Sequence, residues 1–124
     1  MRTFHQERIA QLPSTFVDTI NSIMGIVMPM DDVGKVIMFG SCSRGTQTDN
    51  SDIDLLLVLN SNENDIPFNK LEEKVGVSIY EQYDSNYKTP IDLLFADESI
   101  FENSTRQDSV YYHIKRDGVT LYEQ

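Results

Sequence analysis

Gly40-Ser41 and Asp52-Ile53-Asp54 are the residues of this 124-residue chain whose types and spacing could do chemistry together. Gly40 closes a β-branched and aromatic run, Val33 to Phe39, and a strand that runs into glycine lets the backbone approach a ligand closely. The N–H groups of the turn that follows, Ser41 to Thr46, can then hold phosphate oxygens, with the Ser41 hydroxyl as a further donor and Arg44 as a cation. Asp52 and Asp54 stand two apart at the head of a second apolar run, so a strand there projects both carboxylates from one face. Two carboxylates that close repel, and one takes up a proton unless a cation neutralises them. Magnesium suits such a pair, since it prefers hard oxygen ligands and keeps phosphates and waters in its shell. Asp92 begins a third apolar stretch. If its strand lies beside that of Asp54, three carboxylates converge, the arrangement for two cations at a triphosphate.

Other residues compete for these roles. Asp97 and Asp84 are alternatives to Asp92, but Ile91, Leu93 and Phe95 leave Asp92 on the opposite face of its strand. Arg44 serves equally as a triphosphate contact or a surface charge. Ser51 is either a turn residue ahead of the acids or, with Gly40, Ser41 and Arg44, a nucleotide contact. Cys42 has no histidine with which to form a nucleophilic dyad and reads as a small filler. His5 and His113 are too isolated for a metal site, and Tyr111 and Tyr112 read as packing or interface residues.

The elements that must position these residues follow from hydrophobic periodicity. Phe16, Val17, Ile20, Ile23, Met24 and Val27 draw one helical stripe, with Ser14 as the expected cap and Pro29 and Asp31-Asp32 ending it. Val33 to Phe39 is a strand, and the nearly unbroken apolar run Ile53 to Leu59 suits a central strand buried on both faces. Asn60 to Asp65 is the most polar stretch and reads as a loop. Phe68, Leu71, Val75, Ile79 and Tyr83 have helical spacing, although Gly76 leaves a strand over Val77 to Tyr80 open. Pro90 opens a strand over Ile91 to Phe95. A helix over Thr105 to Arg116 is capped by Gly118, and Val119 to Tyr122 forms an extended tail. The order predicts an α/β (α+β) fold: a small mixed sheet with helices packed mainly on one face. One domain is expected over residues 1–124, with a helical segment at 1–30, a core at 33–97 and a helix and tail at 98–124.

Composition narrows the function classes. Two fifths of the chain is apolar, enough for one core, and no run reaches the ~18 residues of a membrane span. The N-terminus lacks the apolar stretch of a signal peptide, and the single cysteine cannot form an internal disulfide, so a cytoplasmic location is expected. Twenty acidic against ten basic residues give a net charge of −10, which disfavours direct binding to a nucleic-acid backbone. It does not forbid a nucleotide, because a divalent cation can bridge carboxylate to phosphate.

Gly40-Ser41, ten intervening residues and Asp52-x-Asp54 resemble the signature of the DNA polymerase β nucleotidyltransferase superfamily, and more narrowly of its MNT-type minimal nucleotidyltransferase antitoxins. The resemblance covers roughly Val33 to Asp97, with a weaker echo over Val110 to Tyr122. It implies that Gly40 and Ser41 hold the β- and γ-phosphates and that Asp52 and Asp54 coordinate magnesium. It further implies that Asp92 binds the catalytic metal and helps deprotonate the acceptor. Two Mg2+ ions and ATP or another NTP are the cofactor and substrate so implied. The partner implied is a HEPN-domain toxin, an RNase disarmed by AMP transfer to a tyrosine. Roughly thirty residues follow Asp92, which leaves little room for an acceptor pocket within this chain. The alternatives are transfer to a small molecule such as an aminoglycoside, or a non-catalytic module that blocks its partner by contact. Oligomeric state is left open.

Overall fold

The computed structural model describes residues 2–48, 50–61, 66–86 (backbone only from 83), 89–106 and 109–124. The apolar stripe read from the sequence folds as α1, Ser14–Val27, and buries Phe16, Ile20, Ile23, Met24 and Val27. Ser14 is its first helical residue rather than its cap. Pro13 takes the cap position, and its carbonyl accepts the N–H groups of Phe16 (2.9 Å) and Val17 (3.0 Å). Proline before a helix is cheap because the first-turn donors lack intrahelical partners in any case.

Two antiparallel strands follow: β2, Val33–Phe39, and β3, Ile53–Leu59, separated by a four-residue helical turn, α2, Ser41–Arg44. The apolar run of β3 is buried on both sides as expected. Ile53, Leu55, Leu57 and Leu59 join the core under α1, while Leu56 and Val58 join a second cluster on the other face. The ambiguous stretch around Gly76 is helical throughout. α3 spans Phe68–Asn86, with Leu71, Val75 and Ile79 fully buried at a spacing of four. The strand alternative fails because the core supplies one apolar wall to α3, and only helical periodicity keeps all three residues against it. Much of the expected loop at 60–65 lies outside the described residues, as does the side chain of Asp84.

β4, Ile91–Asp97, pairs parallel with β3 through the crossover that α3 provides. Of the helix expected over Thr105 to Arg116, the part from Val110 forms as α5, Val110–Asp117, and a further short helix, α4, Glu98–Glu102, precedes it. Each has its own cap. Asp97 accepts from Ser99 and Ile100 N–H, and Ser109 accepts from Tyr111 N–H. Gly118 follows α5 with φ −74°, so its cap is not left-handed; glycine is needed because a Cβ would meet Ile114 O at 2.5 Å and Ile37 Cγ2 at 2.8 Å.

The expected tail is a full member of the sheet. β5, Val119–Glu123, lies antiparallel between β2 and a two-residue strand β1, Thr3–Phe4, and the sheet order is β1-β5-β2-β3-β4. The sheet is mixed, α1 and α3 cover one face, and the short α4 and α5 cover part of the other through Phe101 and Ile114. Among the described residues no helix is long and apolar enough to cross a membrane.

Candidate active site

The acids occupy the sheet face that α4 and α5 leave open. On β3, Asp54 alternates with Ile53 and Leu55, which face α1 and α3, so it shares its face with Leu56 and Val58. The parallel register then sets Asp92 opposite Asp54, and Leu94 and Ala96 on the same strand pack on that face as well. This is the parity expected of Asp92. The competing Asp97 stands at the far end of β4, opposite Leu59, buried and committed to capping α4. Asp52 is exposed on the lead-in to β3, on the far side of Ile53 from Asp54.

Gly40 builds the other side of this group of acids. It follows directly on Phe39, the last residue of β2, which stands opposite Asp54. Its backbone has φ 74° and ψ −153°, a region that glycine alone occupies without strain, and an added Cβ would collide with Asp54 Oδ2. Glycine is therefore demanded twice, by the turn and by the carboxylate packed against it. Its carbonyl accepts the N–H groups of Ser43 (3.1 Å) and Arg44 (3.3 Å) and the Ser43 hydroxyl (2.8 Å). The Ser41 and Cys42 N–H groups come too early in the turn to find an intrahelical acceptor.

Two residues brace this geometry. The buried Cys42 thiol points to Asp52 O at 3.8 Å, tying the turn to the lead-in of β3. Burial, and then the charge of Asp54, push that thiol up from its ordinary value, so it is a protonated filler and not a nucleophile. Ser51 accepts the Thr48 N–H at 2.8 Å, and its own N–H returns to Thr48 O at 3.0 Å. The bracing role of Cys42 was missed in the sequence; only its place, ten residues before Asp52, hinted at it.

The electrostatics show which charges converge. Asp54 is pushed above the usual carboxylate range by burial first, then by Asp92, then by Asp52, against a smaller opposing pull from Arg44. Asp92, Asp52 and Arg44 therefore all act on Asp54. Among the described residues no set of three acid, histidine or cysteine side chains closes into a metal cage. Such an open set of hard oxygens fits magnesium, which takes one or two carboxylates and completes its shell with phosphate and water. Arg44 is exposed and also acts on Asp117 at the end of α5. A cleft there is lined by Phe39, Gly40, Ser43, Arg44, His113 and Asp117.

Comparison with known proteins gives the family and the fold. The nucleotidyltransferase domain family matches residues 20–116, from mid-α1 to the last turn of α5. A protein of Sulfolobus solfataricus provisionally assigned as a nucleotidyltransferase shares the fold, with a TM-score of 0.52 and 18% identity over 90% of this chain and 89% of its own. A toxin-antitoxin structure with AMP-PNP aligns with a TM-score of 0.47 and 19% identity over 86% of this chain and 72% of its own. No curated protein sequence matches the chain. With a family match that spans most of its length and encloses the glycine turn and all three aspartates, the chain belongs to the nucleotidyltransferase domain family.

Proposed function

We propose that this chain is a magnesium-dependent transferase that moves AMP from ATP to a hydroxyl of a partner protein, disarming a HEPN-domain toxin in the cytoplasm. The observation that supports this best is Asp54 wedged against Gly40, with Asp92 in register beside it. In this reading the Ser41 and Cys42 N–H groups and the Ser41 hydroxyl hold the β- and γ-phosphates, and Arg44 adds charge. Ser51 keeps the Asp52 lead-in in place and is the remaining nucleotide contact. Asp52, Asp54 and Asp92 hold magnesium, which when bound offsets the triphosphate charge and acidifies the attacking hydroxyl. Asp92 takes the proton of that hydroxyl. Its oxygen bonds the α-phosphorus as the bond from that phosphorus to the pyrophosphate bridging oxygen breaks, and the Gly40 turn retains the departing pyrophosphate. Catalysis is then mostly positioning and charge neutralisation.

The preference for a protein acceptor comes from the sequence resemblance and from the shape of the site. The cleft beside the Gly40 turn is small and shallow, about 150 Å³, below the ~300 Å³ typical of a small-molecule pocket. The test is incubation of the chain with ATP, magnesium and a HEPN-domain protein from the same genome, read by intact mass. One AMP or more should add to the partner; no transfer from any NTP sinks the reading.

A further inference from the structure

β4 is an edge strand: among the described residues only β3 pairs with it. The Ile53 N–H donates to Pro90 O at 2.9 Å, so Pro90 faces β3, and by alternation so do Asp92, Leu94 and Ala96. The N–H and C=O groups of Ile91, Leu93 and Phe95 therefore point away from the sheet. One of them, Phe95 O, receives the Tyr111 hydroxyl at 3.4 Å. Such a row is a template for another strand. The side chains agree, for Leu93, Leu94 and Phe95 are only half-buried while their partners on β3 are fully buried. On the α3 side the edge is flanked by an apolar groove. Phe95 forms its floor, Gly76 puts no side chain over it, and Val77 (48% exposed) and Tyr80 (50%) form its wall. Among the described residues its charged lining is Glu72 and Glu73, and Asp92 stands exposed at the start of the strand.

We infer that β4 receives an extended segment of a partner protein by strand addition. On the α3 side the segment carries an apolar or aromatic residue that meets Val77 and Tyr80 and basic residues beside it that meet Glu72 and Glu73. A second copy of this chain fits worse, since a two-fold pairing through β4 would set Glu72, Glu73 and Asp92 against like charges in a molecule of net charge −10. A segment lying along β4 passes Asp92. If the protein-acceptor reading above holds, on which this part rests, strand addition also brings the hydroxyl to the proposed proton acceptor.

The test uses the full chain and two synthetic peptides, Val-Lys-Val-Tyr-Val-Lys-Val and the same peptide with glutamate for lysine. Amide exchange at Leu93 and Phe95 should slow about tenfold or more with the lysine peptide and remain unchanged with the glutamate one. Glu72→Lys with Glu73→Lys, on the exposed face of α3, should weaken the lysine peptide about fivefold without changing the unfolding temperature. Unchanged exchange at saturating lysine peptide, or equal protection by both peptides, overturns the inference. Protection that rises with chain concentration in the absence of peptide assigns the edge to a second copy and overturns it too. Peptide bound at β4 with no AMP transfer to any protein leaves strand addition standing and sinks the enzymatic reading. AMP transfer to a HEPN protein that leaves Leu93 and Phe95 unprotected does the reverse.

Discussion

Gly40 shows how much a single residue can carry. Its backbone conformation is closed to other residues at a cost of order 1–3 kcal/mol, and its missing Cβ is space that Asp54 uses. Gly40→Ala should therefore lower the unfolding temperature and abolish nucleotide transfer together, whereas Gly45→Ala, a left-handed cap with open space around it, should lower stability and spare more of the activity. Thermal melts and transfer assays on both variants separate the two causes. Asp97 makes a second case. Hydrogen bonds from the Ser61 and Ser99 hydroxyls, with Ser99 and Ile100 N–H, hold it below the ordinary aspartate value of 3.8. A depressed carboxylate contributes stability above its unfolded value that is lost as pH falls through its folded one. The chain should thus lose stability below about pH 3.8, and Asp97→Asn should flatten that loss while costing roughly 1 kcal/mol at neutral pH as a weakened cap. Urea melts from pH 2.5 to 7 check both. At this scale the sequence was most informative: Asp54, Asp92, Asp52 and Arg44 converge electrostatically. The commitment of Asp97 was less legible, because capping depends on Ser61, thirty-six residues away.

The individual elements were legible where one periodicity ruled. α1, β2, β3 and β4 declare themselves through apolar patterns dense enough to outweigh local ambiguity. α3 needed its tertiary wall to decide between helix and strand. After β4, Val110 and Ile114 marked α5 correctly, but its start moves to the Ser109 cap, and the short α4 that turns on Asp97 had too few apolar residues to show a period. Gly118 was placed correctly at the end of α5 but for another reason, since it makes room where α5 presses on β2. Gly118→Ala should cost about 1–3 kcal/mol by overpacking against Ile37 and Ile114 O, with nucleotide binding retained in the folded fraction. Denaturant titration gives the first quantity, and calorimetry with a non-hydrolysable ATP analogue the second.

At the scale of the whole molecule, an acidic chain has gathered its acids where burial and mutual repulsion keep Asp54 from ionising comfortably. Stability and function should then pull in opposite directions. Asp54→Asn should raise the melting temperature of the free protein. In the parent, magnesium with a non-hydrolysable ATP analogue at a hundred times Kd should add about 2.7 kcal/mol. The variant should lose that gain, and scanning calorimetry with and without EDTA reads both effects. The sheet order itself was hidden from the sequence, because β5 pairs with strands over a hundred residues (Thr3 and Phe4) and some eighty residues (β2) earlier, and nothing local marks so distant a match.

That pairing matters most during synthesis. Asp52, Asp54 and Asp92 are all synthesised before Val119–Glu123 is made. Until those residues are released, β2 is held by β3 alone on one side and bare on the other, so the Gly40 turn hangs from a half-supported strand. The nascent chain thus carries the three aspartates well before it has the frame that aligns them, and that frame is complete only when β5 has paired.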